Sequence, residues 1–208
     1  MLYNRIAGQS VERLAALSDG IFAIAMTLLV LDLHTPAADA IHSEHDLLRA
    51  LLALAPRLVV YMMTFLTLGI FWVGQQTQLN YIERSHRSHT WMNLVFLFGV
   101  TLTPFSTMLL AEFIHYRTAL VLYWLNILLL GVALYFTWQC AASLGLAGPD
   151  LPLEVPRAIR GRIVIAQSLY ALGALLCIFS TYYSIVFIVA VQLYYAIAPR
   201  VPGRANRQ

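Results

Sequence analysis

Long blocks of apolar residues, separated by short polar stretches, dominate the sequence. A helix that crosses a membrane needs about 20 mainly apolar residues, with a working range of about 17–25. The six apolar segments of this chain cover residues 17–33, 47–74, 90–111, 119–142, 163–181 and 184–198. The last two are separated by almost no loop, but a single helix of about 36 residues would be almost twice the thickness of a bilayer. The pattern therefore predicts an all-α integral membrane protein with six transmembrane helices per subunit, in one domain over residues 1–208.

The composition supports a membrane location. Sixty per cent of the 208 residues are apolar, 11% are charged and the mean hydropathy is +0.72. Soluble domains average about 25% charged residues, and disordered chains have low hydrophobicity, so both classes are excluded. No catalytic or metal-binding motif is present, and both cysteines lie inside apolar segments. We therefore expect neither an enzyme nor a cofactor or metal site.

The arginines predict the orientation. All 13 basic residues are arginine, and only Arg49, Arg57 and Arg117 lie outside the N-terminal region, the second and fourth loops and the C-terminal tail. The positive-inside rule then places both termini in the cytoplasm, which requires an even number of spans. The N-terminal region lacks the pattern of a cleavable signal peptide, so we expect the first apolar segment to remain a permanent helix. The arginines are scattered between apolar blocks, which argues against nucleic-acid binding.

The first apolar segment carries the strongest candidate chemistry. An ionisable side chain within a span, such as Asp19, is a functional-site hypothesis, although with Ser18 it could simply cap the helix start. On a regular helix Ile24, Leu28 and Leu31 fall within about 60° of one another, with Thr27 beside them. Such an apolar stripe alone is typical of packing or lipid contact. Asp19 lies on nearly the opposite side, so we expect it to point into its own bundle, towards Arg13 or polar groups of neighbouring helices.

Further polar groups occur at the ends of the segments. Gln75 and Gln76 directly follow the second segment and Asn93 lies near the start of the third, and each could form hydrogen bonds between helices. Asp32 ends the first segment beside an acidic loop on the predicted outer side. We expect it to attract cations there.

Two stretches resemble the transmembrane protein 175 family. Arg13, Leu17-Ser18-Asp19-Gly20 and the following IFAIAMTLLVLDL resemble the family signature, with Leu17 where phenylalanine is usual. The stretch WMNLVFLFGVTLTPF, from Trp91 to Phe105, is similar to the family's third-helix pattern. The resemblance covers roughly the first half of the chain.

This resemblance implies a potassium-favouring cation channel in which four identical subunits place their first helices around the pore. The apolar constriction would correspond to Ile24, Leu28 and Leu31, and a threonine layer, here Thr27, is a rival explanation of selectivity. Arg13, Ser18 and Asp19 would anchor the first helix. Gln75 and Gln76 stand where the family usually has two histidines, so hydrogen bonding is possible there but charge is not.

The sequence as a whole is interpreted as a homotetrameric potassium channel in the lipid bilayer of a bacterial inner membrane, with K+ permeating and Asp32 at the pore mouth. The alternative is a small secondary transporter or exporter, and a membrane enzyme ranks third. The sequence leaves open whether the ring of Ile24 side chains is a filter or a closed gate.

Overall fold

The computed structural model describes residues 10–148, 151–152 and 154–197 as an assembly of helices. The described residues form seven α-helices, which are α1 (Val11–Leu28), α2 (Glu44–Ala53), α3 (Ala55–Leu79), α4 (Arg87–Glu112), α5 (Arg117–Ser143), α6 (Glu154–Leu175) and α7 (Thr181–Ile197). Short 3-10 turns follow α1 and α6 at Leu29–Asp32 and Leu176–Ile178, and a third covers Ala38–Ala40. Among the described residues no strand forms, and the one β-type contact is an isolated bridge between Ile82 and Ala147.

In the part of the chain that the structure describes, five helical segments of 22 to 27 residues are long and apolar enough to cross a membrane. They are α1 with its 3-10 turn, α3, α4, α5, and α6 with its 3-10 turn. The sixth apolar helix, α7, has 17 residues, which is the lower end of the spanning range of about 17–25. It follows α6 after a two-residue turn at positions 179–180, as the predicted helical hairpin requires. The all-α membrane fold is confirmed, with α7 as the short sixth helix.

Helix boundaries differ from the predicted ones at both ends of the first segment. α1 begins at Val11, six residues before position 17, because the Ser10 hydroxyl accepts a hydrogen bond from the Arg13 backbone N–H and caps the helix. Its α-helical part ends at Leu28, so Leu31 lies on the 3-10 turn. Leu31 therefore does not follow the 100° spacing of a regular α-helix, from which its alignment with Ile24 and Leu28 was predicted.

The second apolar segment is divided into two helices. α2 ends at Ala53 and α3 begins at Ala55, with Pro56 in the first turn of α3. Proline lacks a backbone N–H and its ring clashes with the carbonyl four residues earlier, so an uninterrupted helix is disfavoured there. α2 is therefore an additional short helix before the second span.

The core is formed mainly by α4 and α5, against which α1, α3 and α6 pack, while α7 packs on α3 and α6. Five of the buried polar side chains form one hydrogen-bonded group inside this apolar bundle. The Tyr123 hydroxyl lies 3.3 Å from Thr64 Oγ1 and 3.1 Å from Thr67 Oγ1. Thr107 donates to Thr64, and Gln192 donates to Thr67. These bonds connect α3, α4, α5 and α7.

Candidate functional site

α1 has one face packed on the bundle and another uncovered in the single chain. Leu14, Phe22, Ala25 and Leu29 are buried between α1 and its neighbours. On the other side Ile24 is 61% exposed, Leu28 45% and Leu31 68%. Large apolar side chains on one face of a membrane helix contact either lipid, a further subunit or a pore. The structure thus places the predicted constriction residues outside the subunit core.

Thr27 lies beside this face and is also exposed. Its hydroxyl donates a hydrogen bond of 2.8 Å to the Ile24 backbone carbonyl. The hydroxyl proton is therefore engaged, whereas the oxygen lone pairs remain able to accept or to coordinate a cation. The geometry leaves both the apolar ring and the threonine layer as possible selectivity elements.

A buried chain of hydrogen bonds connects α1 to α3 and α4. The Ser18 hydroxyl donates to the Leu14 carbonyl and accepts from Gln75 Nε2 at 3.0 Å. The same amide nitrogen lies 3.2 Å from Asn93 Oδ1. Asn93 in turn donates to the His89 carbonyl, and its amide nitrogen lies 3.1 Å from His89 Nε2. Because all four side chains are buried, these bonds hold α1 against the bundle in one rotational position.

Asp19 bonds to polar groups of a neighbouring helix, one of the two kinds of partner expected, but it lies at the surface of the bundle. Its side chain is exposed rather than inside the bundle. Its Oδ1 accepts hydrogen bonds from Trp72 Nε1 at 2.8 Å and from Gln76 Nε2 at 2.7 Å, both on α3. Asp19 therefore connects the exposed side of α1 to α3, in addition to the connection through Ser18.

The other partner considered for Asp19, Arg13, forms no ion pair with it among the described residues. In the part of the chain that the structure describes, the one ion pair joins Arg57 of α3 to Glu112 of α4. Arg13 and Asp19 are six residues apart, which on a helix places them about 120° apart and about 9 Å apart along the axis. Arg13 is exposed and lies on the same side of α1 as Ile24.

Two residues of this region were missed in the sequence. Trp72 lies four positions before Gln76, so the two side chains share one face of α3. The signal in the sequence was Asp19 on the neighbouring helix, which can accept a hydrogen bond from the indole N–H of Trp72. His89 lies four positions before Asn93 in the same way, but its place next to a loop concealed its burial. Its other ring nitrogen, Nδ1, lies 3.1 Å from the Ser85 hydroxyl.

Asp32 is the last residue of the 3-10 turn that follows α1 and is half-buried. It stands at the opposite end of the exposed α1 face from Arg13. No group of three or more His, Cys, Asp or Glu side chains suited to a metal ion occurs within the described residues. The features of this site are thus an apolar helix face with one acidic end and a polar attachment on the reverse side.

The sequence is similar to a family of channels and to several known proteins. The profile of a family described as the endosomal/lysosomal potassium channel TMEM175 matches residues 13–104. A potassium channel of Streptomyces collinus is 33% identical over 165 residues, which cover 77% of this chain and 79% of that protein. A potassium channel of Chamaesiphon minutus is 28% identical over 89% of this chain and 93% of that protein.

The fold also has a solved counterpart. The crystal structure of a lysosomal potassium-selective channel TMEM175 homologue from Chamaesiphon minutus is similar, with a TM-score of 0.79 and 26% sequence identity. The similarity covers 92% of this chain and 98% of that one. A human endosomal/lysosomal proton channel, TMEM175, is 32% identical over 45% of this chain, which corresponds to 20% of its own length.

Proposed function

This chain belongs to the TMEM175 family of channels, and on that premise we propose that it conducts cations passively with a preference for potassium. The relatives that it matches over most of their length carry the name potassium channel. The relatives named proton channel are matched over about a fifth of their length, and so weigh less. A channel needs no catalytic group and no resident cofactor, and the permeating K+ is its cargo.

The pore in this proposal is formed by four copies of α1 around one axis. The observation that carries it is the uncovered face of α1, where Ile24, Leu28 and Leu31 project from the subunit. The attachments through Ser18 and Asp19 lie away from Ile24 on α1, and so they hold that face outwards. An assembly that turns these faces inwards would cover them and create a narrow apolar pore.

Selectivity in such a pore depends on dehydration. Apolar rings offer no oxygen to replace the water shell of an ion, so passage depends on the ring radius and on how much water the ion retains. Potassium holds its water less tightly than sodium, and a narrow ring therefore favours potassium modestly. Ile24 is β-branched and stiff, and we propose that it forms the narrowest ring. The rival explanation is that selectivity comes from a layer of Thr27 oxygens, which lies at nearly the same depth in the pore.

We place the protein in a bacterial inner membrane with both termini in the cytoplasm. The support is the distribution of arginine, since ten of the 13 arginines occur at the termini, in the loops or at the helix ends on the side where α1 begins. Asp32 and the acidic loop after it then lie on the outer side, at the pore mouth. Four copies of Asp32 would raise the local concentration of cations there.

Flux from proteoliposomes tests this function. Vesicles loaded with KCl and diluted into an impermeant salt should take up protons through an added protonophore, because potassium leaves through the protein and makes the interior negative. No counter-substrate should be required, and replacing internal potassium by sodium should slow the uptake. Flux that depends on a substrate gradient would instead favour the transporter or exporter alternative. Uptake that proceeds without the protonophore would reveal that protons themselves permeate.

A further inference from the structure

α2 is too short to cross a membrane and has no buried residue. Its 10 residues extend about 15 Å, half of the hydrocarbon core of a bilayer. Four exposed leucines occupy one side of it, over an arc of about 140°. They are Leu47, Leu48, Leu51 and Leu52. None of them contributes to the subunit core, so the stripe needs another partner.

The opposite side of α2 faces the rest of the chain. Its polar and small residues Asp46, Arg49, Ala50 and Ala53 line a cleft shared with the loop after α1 and with Arg57. The leucine stripe consequently points away from the subunit.

The leucine stripe is continuous with the exposed face of a transmembrane helix. Leu54, between α2 and α3, keeps right-handed helical dihedral angles of φ −79° and ψ −11°. Continuing the helical period through it brings the stripe of α2 into line with an exposed apolar face at the start of α3. That face consists of Leu58, Val59, Met62 and Phe65. The surface that α3 presents inside the membrane thus extends onto α2.

The length of α3 sets the depth of α2. The 25 residues of α3 extend about 38 Å, which already exceeds the hydrocarbon core of about 30 Å. The ion pair between Arg57 and Glu112 lies at the same end of the bundle and is typical of the headgroup region. The end of α2 therefore lies at headgroup level, next to Pro56, which interrupts the helix.

We propose that α2 is an interfacial anchor that lies on the membrane surface, with its four leucines inserted at the boundary between headgroups and acyl chains. His45 lies at the edge of the leucine stripe, so that its polar ring nitrogens can reach the headgroups, as in other amphipathic membrane-surface helices. The partner is the lipid of the leaflet at which α3 begins. The inference depends on membrane insertion alone and not on ion conduction.

Nitroxide labelling in liposomes tests this inference. In a Cys140→Ser/Cys177→Ala background, the labelled variants are Leu48→Cys and Leu52→Cys, with Asp46→Cys and Arg49→Cys as matched controls on the other side of α2. Collision with oxygen, which concentrates in lipid, should be several-fold higher at the leucine positions. Collision with a water-soluble nickel chelate should be several-fold higher at the controls. The leucine labels should lie about 5–10 Å below the phosphates.

Two results would overturn the proposal. Equal access of the nickel chelate to all four sites would mean that α2 stands in water. Exclusion of both reagents from the leucine sites, with spin–spin broadening, would mean that a second copy of the chain covers the stripe. Circular dichroism identifies any variant that fails to fold. A leucine variant that fails is replaced by Leu47→Cys or Leu51→Cys, which lie on the same face of α2. A protein that conducts no ions would leave all these measurements interpretable.

Discussion

Gln75 and Gln76 are adjacent in sequence but serve different connections of α1. Gln75 is buried and donates to Ser18 and to Asn93. Gln76 is half-buried and donates to the exposed carboxylate of Asp19. Where the resemblance implies two histidines, this chain thus uses two neutral amides that keep the hydrogen bonds without a titratable group.

Replacing Gln75 should therefore destabilise the protein more than replacing Gln76. Gln75→Leu removes the N–H donor to the buried Ser18 Oγ and Asn93 Oδ1 atoms, at a cost of about 1–3 kcal/mol. Gln76→Leu leaves Asp19 in contact with Trp72 and with water, and should cost less. Thermal unfolding in detergent, followed by circular dichroism, measures both variants. Equal midpoints for the two would show that the bond between Ser18 and Gln75 does not hold α1.

The side chain at position 24 should control conductance if the apolar ring selects ions. Ile24→Ala widens the ring, so potassium flux should rise and the preference over sodium should fall. Ile24→Asn should have a larger effect, because an amide attracts water into the ring. Flux of each ion from proteoliposomes measures both quantities.

Thr27→Val is the matched control for the ring experiment, since it removes the hydroxyl but keeps the branched shape. It should leave the potassium preference nearly unchanged. If it abolishes the preference while both Ile24 variants retain it, the threonine oxygens select the ion and the apolar ring does not.

At the scale of the helices, α5 and α6 meet at a glycine. A Cβ atom at Gly131 would lie 2.0 Å from Gln167 Nε2 and 2.7 Å from its Cγ. Gln167 donates from this position to the Ile127 carbonyl at 3.4 Å. The absence of a side chain at position 131 therefore lets the two helices approach, and Gln167 fills the space.

Gly131→Ala should lower stability by about 1–3 kcal/mol, because the clash forces Gln167 out of its rotamer. Gly161→Ala on α6 is the control, since nothing lies within 4 Å of its Cβ position, and alanine is the better helix former by about 1 kcal/mol. Unfolding midpoints compare the two. Adding Gln167→Ala should rescue Gly131→Ala, and the lack of rescue would locate the strain elsewhere.

Hydropathy predicted the spans well and their ends poorly. Apolar length alone indicates a membrane helix, whereas ends depend on single residues, such as the Ser10 cap of α1 and Pro56 at the start of α3. The site was predictable where polar residues are scarce, as at Ser18 and Asn93. The placement of Asp19 at the surface was not, because hydropathy does not tell which side of a helix a partner covers.

At the scale of the whole molecule, Asp32 should act through its fourfold repetition in the proposed tetramer. Four carboxylates around one axis attract cations over a distance that salt shortens, from about 30 Å at 0.01 M to about 10 Å at 0.1 M. Asp32→Asn should therefore reduce single-channel conductance mainly at low ionic strength. Conductance in planar bilayers at several KCl concentrations measures this. An equal reduction at every concentration would point to a structural role for the half-buried side chain.

The position of α1 in the assembly can be tested with two neighbouring residues. Val30 is 48% exposed and Leu31 68% exposed, yet successive residues on a helical turn point in directions about 100–120° apart. If four copies of α1 surround the pore, Leu31 faces the axis and Val30 faces sideways. In the Cys140→Ser/Cys177→Ala background, a positively charged thiol reagent should block flux through Leu31→Cys and leave Val30→Cys nearly unaffected.

Native mass spectrometry should give four copies of the chain for both variants. If the reagent blocks only Val30→Cys, α1 has a different rotational position relative to the pore axis from the one proposed. If neither variant is blocked although the mass shows that both are labelled, the pore lies away from α1.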